Sequence, residues 1–108
     1  MAVQNAIEFF QGEDVTLEFT VEDAAGAAVD VTGWTTTFSI ARTAGDAILV
    51  TAAGAIIDAA TGRIDVVLTD TDTDTLSGSY AYDFKRMNAG SEAVLSYGPV
   101  TVRQKVTA

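Results

Sequence analysis

The chain has 108 residues, 48% hydrophobic and 19% charged, with 15 acidic side chains against 6 basic ones and a formal charge of −9. This balance is that of a folded chain, and folding at this length hides about 65% of the unfolded surface, enough for one sizeable core within a single domain, residues 1–108. The lack of Cys and His excludes thiol nucleophiles, disulfides, Ser-His-Asp triads and the usual zinc sites, and the acid excess argues against nucleic-acid and anionic-membrane partners.

Met1 to Asn5 has no basic segment followed by an apolar one, and no stretch reaches the roughly 18 apolar residues of a membrane helix. A soluble chain without a signal peptide is expected. Ala6 to Phe10 is a short candidate strand. Residues 1–10 are read either as the domain's own first strand or as an arm that adds to a neighbour's sheet through Phe9 and Phe10. Val15, Leu17, Phe19 and Val21 then alternate with Thr16, Glu18, Thr20 and Glu22, the signature of a half-buried strand. Trp34, Thr36, Phe38 and Ile40 repeat that pattern, and Trp34, heading its strand, is expected to be the central core aromatic. Ile64, Val66 and Leu68 follow, then Tyr80, Tyr82 and Phe84, and finally Val100, Val102 and Val106. Shorter candidates are Val29 to Val31, Ile48 to Ala52, Ile56 to Ala59 and Ala93 to Tyr97. Turn signals separate them, among them Ala25-Gly26, Thr32-Gly33, Ala53-Gly54, Thr61-Gly62, Asn88-Ala89-Gly90 and Gly98-Pro99. Their spacing of about 8 to 12 residues is the rhythm of an all-β sandwich or barrel, with at most one helical turn near residues 70–76.

The strongest chemical motif is Asp70-Thr71-Asp72-Thr73-Asp74-Thr75, because alternate aspartates can present oxygens to Ca²⁺. An EF-hand loop starting at Asp70 needs Gly at Thr75 and a bidentate Glu at Ala81, and has neither. Asp70, Asp72 and Asp74 are therefore read as helix-capping residues ahead of a calcium site. Leu76-Ser77-Gly78-Ser79-Tyr80 places a tyrosine at a strand entry, where its hydroxyl can lock the crossover between sheets. Tyr82 shares that face and is assigned to the core. Glu13-Asp14 and Glu22-Asp23 lie at polar strand boundaries with nothing apolar to raise a pKa, so they are read as solvated turn residues. No catalytic set and no cofactor follow from these residues.

Charge is unevenly divided. Residues 1–83 sum to −12, whereas residues 84–108 sum to +3, with Lys85, Arg86, Arg103 and Lys105 against Glu92 alone. Such a segment either protects edge strands or meets the acidic face of a neighbour; in the second case, Arg103→Glu with Lys105→Glu should weaken incorporation into an assembly.

The order of short motifs resembles the N-terminal β-sandwich domain of phage baseplate upper proteins and related phage domains. It begins with Ile7-Glu8-Phe9-Phe10-Gln11-Gly12-Glu13-Asp14, Leu17-Glu18-Phe19-Thr20-Val21 and Val29-Asp30-Val31-Thr32-Gly33-Trp34. It continues with Thr61-Gly62-Arg63-Ile64-Asp65-Val66-Val67-Leu68-Thr69 and Gly78-Ser79-Tyr80-Ala81-Tyr82-Asp83-Phe84. Tyr97-Gly98-Pro99-Val100-Thr101-Val102 and Val106-Thr107 complete it. The resemblance implies an immunoglobulin-like antiparallel β-sandwich with Greek-key connections and about seven to nine short strands. It also implies a non-enzymatic virion protein, made in the host cytoplasm. Its partners would be other virion proteins and copies of itself on the tail, baseplate, neck or capsid surface. The sequence ends at Ala108, before the receptor-binding regions of those proteins, so receptor binding is not carried over. The alternative expectation is a carbohydrate-binding or host-adhesion module on the same scaffold.

Overall fold

The computed structural model describes residues 3–4, 6–23, 25–43, 45–88 and 91–104. In chain order these form β1 (Val3–Gln4), β2 (Ile7–Phe10), β3 (Val15–Thr20), β4 (Thr36–Ala41), β5 (Ile48–Ala53), β6 (Ala55–Asp58) and β7 (Arg63–Leu68). The single turn of helix α1 (Asp70–Thr73), β8 (Gly78–Asn88) and β9 (Ser91–Arg103) follow. One sheet runs β1-β9-β8-β4-β5, with β2 also on β9, and the other runs β3-β7-β6. The chain passes between sheets after β2, β3, β5 and β7, a Greek-key arrangement. With β5 beside β4 as an added strand, this is an immunoglobulin-like sandwich.

Alternation explains the core. Thr36, Phe38 and Ile40 of β4, Tyr80, Tyr82 and Phe84 of β8, and Val100 and Val102 of β9 all turn inward. Ile64, Val66 and Leu68 of β7 meet them from the opposite sheet. Phe19 of β3 bridges the layers, stacked on Phe84 with centroids 4.2 Å apart and 6.2 Å from Phe38.

Trp34 does not occupy the centre. The turn Val31 to Trp34, closed by a 3.0 Å hydrogen bond from Trp34 N–H to Val31 C=O, places it ahead of β4, whose pairing with β8 starts at Thr36. Its ring is half-buried at the rim, under the Arg86 guanidinium at 4.8 Å, and Phe38 takes the central place. Val29 to Val31 is a pinned loop instead of a strand. Val31 N–H donates to Ala59 C=O at 2.9 Å, which buries Val31 fully without a sheet.

Gly98-Pro99 is strand, not turn. β9 runs through it because β1 and β2 lie parallel to β9 in one unchanged register, Val3 opposite Ser96 and Ile7 opposite Val100. Pro99, which lacks an N–H, falls where that pairing is interrupted. A bulge at Leu95 explains why Ala93 to Tyr97 does not alternate: Phe84 faces Ser96 and Lys85 faces Val94, so Leu95 and Ser96 are both buried. Val106, Ala89 and Gly90 lie outside the described residues.

Candidate interaction surfaces

The α1 corner is built from the residues that had metal-binding promise. Thr69 is the N-cap, accepting from Asp72 N–H at 3.3 Å, while the Asp72 carboxylate accepts from Thr69 N–H at 3.0 Å. Asp70 Oδ1 accepts from Thr71 N–H at 2.8 Å. This reciprocal pairing is a capping box with Asp in the place usually held by Glu. Among the described residues no group of three or more acidic side chains is arranged to hold a metal. The Asp70 and Asp72 carboxylates serve the turn, and Asp74 closes it through its backbone N–H to Asp70 C=O.

A longer-range set of bonds, unmarked by any sequence motif, ties this corner to the β2–β3 loop. Asp70 N–H donates to Asp14 Oδ1 at 2.7 Å, Thr73 Oγ1 to Glu13 C=O at 2.9 Å and Gln11 Nε2 to Asp74 C=O at 2.8 Å. Asp23 likewise accepts from Ala25 and Ala27 N–H, at 2.9 and 3.0 Å. Glu13, Asp14 and Asp23 are therefore loop-forming residues, with more specific partners than water.

Tyr80 closes the crossover into β8. Its hydroxyl receives Ser77 N–H at 2.9 Å and donates to Ser77 C=O at 3.1 Å, and Arg42 lies over its ring at 4.5 Å. Gly78, the first residue of β8, has φ +97°, a conformation that favours glycine. Tyr82 is buried, its hydroxyl 2.9 Å from Ser96 Oγ, and burial pushes its phenol above the ordinary tyrosine value against the opposing pull of that bond.

Among the described residues the basic side chains of the terminal segment fall on two strands, β8 and β9. Arg103 Nε lies 2.8 Å from Glu8 Oε1 and Arg103 Nη2 3.3 Å from Glu8 Oε2, a bidentate pair between β9 and β2. The pair holds the Glu8 carboxyl below the ordinary glutamate range, chiefly through the hydrogen bond and then through charge. Lys85 and Arg86 sit on β8, between β4 and β9, so neither lies on an edge strand. Lys105 is outside the described residues. Phe9, proposed for an interface, is buried in the core and unavailable to a partner, whereas Phe10 is exposed. Residues 7–10 are strand β2 of this sandwich.

One concavity, of about 800 Å³, opens on the outer face of the larger sheet. Small residues form its floor, Ala41 paired to Ala81 and Ala81 to Pro99 across three strands. Tyr97, Val94 and Ile48 rise around it. Asp83, opposite Tyr97, buries Oδ1 there with no hydrogen-bond partner among the described residues. Sequence alternation assigns Asp83 and Tyr97 outward positions, but only the cross-strand register brings them together.

No family model matches the chain, and no curated protein matches it. Among solved structures it is similar to one titled Tim-1, at 13% identity and a TM-score of 0.46, covering 100% of this chain and 99% of that one. Among the described residues no helix is long and apolar enough to cross a membrane.

Proposed function

We propose that the chain is a non-enzymatic structural module of a phage virion, which works by protein–protein contact and joins other virion proteins and copies of itself. The observation that carries this reading is where its carboxylates go. Glu8 pairs with Arg103 and Glu18 with Arg63, while Asp14, Asp23, Asp30, Asp46, Asp58 and Asp72 accept from loop N–H or hydroxyl groups. Side chains spent on holding turns build a rigid body and do not converge on a reacting atom. The motifs that resemble phage baseplate domains fall on β2, β3, β7, β8 and β9 and on the loop from Val29 to Trp34, and supply much of the core, in keeping with a role as scaffold. The excess of acid over base gives a surface that repels nucleic acid and anionic membrane and favours protein partners.

The test is assembly itself. Particles made without the protein should lack a defined feature in negative-stain images, and purified chain added back should restore it. Particles indistinguishable with and without the chain would reject the reading.

A second reading, glycan binding by an adhesion module, draws on the outer-face concavity, where the exposed Tyr97 ring and the unpartnered Asp83 oxygen offer a stacking surface and an acceptor. Binding on a glycan array that Tyr97→Ala abolishes would favour it; an array blank for the native chain would reject it.

A further inference from the structure

We propose that the β5–Gly54–β6 side of the sandwich is a self-association surface, on which two copies pair antiparallel along β5 about a two-fold axis. The inference rests on the assembly reading above and names its partner as a second copy of the chain.

Among the described residues β5 bonds only to β4, and β6 only to β7. With one residue between them, the two strands form a continuous edge that passes from the larger sheet to the smaller one at Gly54. There the backbone comes so close to the interior that a Cβ would lie 2.1 Å from Thr36 Oγ1 and 2.8 Å from Ile64 Cγ2. An open edge offers unpaired N–H and C=O groups, and proteins usually guard it with charge, proline or bulges. Elsewhere the guard is charge: β3 carries Glu18, ion-paired to Arg63, and β2 carries Glu8, ion-paired to Arg103. Residues 47–57, Ala-Ile-Leu-Val-Thr-Ala-Ala-Gly-Ala-Ile-Ile, contain neither charge nor proline.

Bulges are present, but they expose apolar groups. In β5 the register shifts between Ile40 and Ala41, which makes Leu49 the extra residue; in β6 the extra residue is Ile57. Leu49 is 52% exposed and Ile57 53%, with Ile48 beside them at 56%. Between the bulges, Val50 to Ala53 pairs regularly with β4 and leaves a straight stretch open on its other side.

Charge permits a second copy at this edge. Two bodies of −9 repel over most of their surface, and along residues 47–57 they can approach without setting like charges together. An antiparallel edge is its own complement under a two-fold axis, so a second copy supplies the required donors and acceptors. Asp46 and Asp58 bracket the run, so salt that screens them should tighten the contact.

Sedimentation velocity over a wide concentration range, at low and high salt, tests this together with hydrogen exchange of the native chain. The expected result is a monomer–dimer equilibrium favoured by salt, with Ile48 to Ala53 amides slowing as concentration rises. Thr51→Lys should raise the dimer dissociation constant by about tenfold or more, and Thr16→Lys on β3 should leave it unchanged. A monomer at every concentration, a dimer protected elsewhere, or one indifferent to Thr51→Lys would overturn the inference. Because exchange is read on the native chain, misfolding of a variant does not blunt the test. A strict monomer that still restores particles would overturn self-pairing and leave assembly standing, whereas a β5 dimer that restores nothing would do the reverse.

Discussion

The two long sides of this sandwich are finished in different ways. On the β2–β3 side polar bonds bind neighbouring segments together: Glu8 to Arg103, Glu18 to Arg63, and Gln11, Glu13 and Asp14 to the α1 corner. On the β5–β6 side an uncharged segment lies against the body and changes sheet at a single glycine. The first side guards its strand edges with ion-paired charge. The second leaves aliphatic side chains and strand edges facing outward, which suits a surface that is covered in an assembly.

The sharpest way to break this contrast is Gly54→Val. The added branches meet the buried Thr36 and Ile64 side chains, neither of which can swing away, so stability should fall by about 3 kcal/mol in urea unfolding. An unchanged midpoint would mean that the sheet switch is not tightly packed. On the polar side the losses should be smaller. Thr69→Ala removes the helix cap, and Tyr80→Phe removes the hydroxyl that serves both polar groups of Ser77; each should cost about 1 kcal/mol in the same measurement.

Titration separates the core from the rim. Tyr82 holds its proton more tightly when folded, so its contribution to stability is intact below the ordinary tyrosine value and is lost as pH rises through the raised one. Tyr82→Phe should reduce the alkaline loss of stability followed by circular dichroism. Glu8 has the opposite sign: its folded value is lowered, so what it adds is present above the ordinary glutamate value and disappears as pH falls through the lowered one. The pair is fully exposed and its effect on stability should be the smallest of these. It is better read by NMR, where Arg103→Gln should return the Glu8 titration to the ordinary range.

Alternation made the sandwich legible, because a strand with one buried face repeats every second residue, and the rows of β3, β4, β7 and β8 follow that rule. Tyr80 was legible too, its spacing from Gly78 marking a strand entry. What local pattern could not carry was pairing between distant segments. Gly98-Pro99 has turn chemistry, yet β8 on one side and the interrupted β1–β2 ladder on the other hold it extended. Trp34 keeps the phase of β4 but lies two residues before Thr36, the first paired residue, so alternation alone placed it too deep. The basic terminal segment suggested a charged contact because the acid that pairs with Arg103, Glu8, is 95 residues away in sequence.

The central claim is that the uncharged side, and not the charged one, makes the contacts of assembly. Particles lacking the protein, supplied with native, Thr51→Lys or Arg103→Glu chain, test it most directly by the amount of chain incorporated. Thr51→Lys should lose incorporation while Arg103→Glu keeps it at the native level. The reverse pattern, full incorporation of Thr51→Lys and loss with Arg103→Glu, would contradict it.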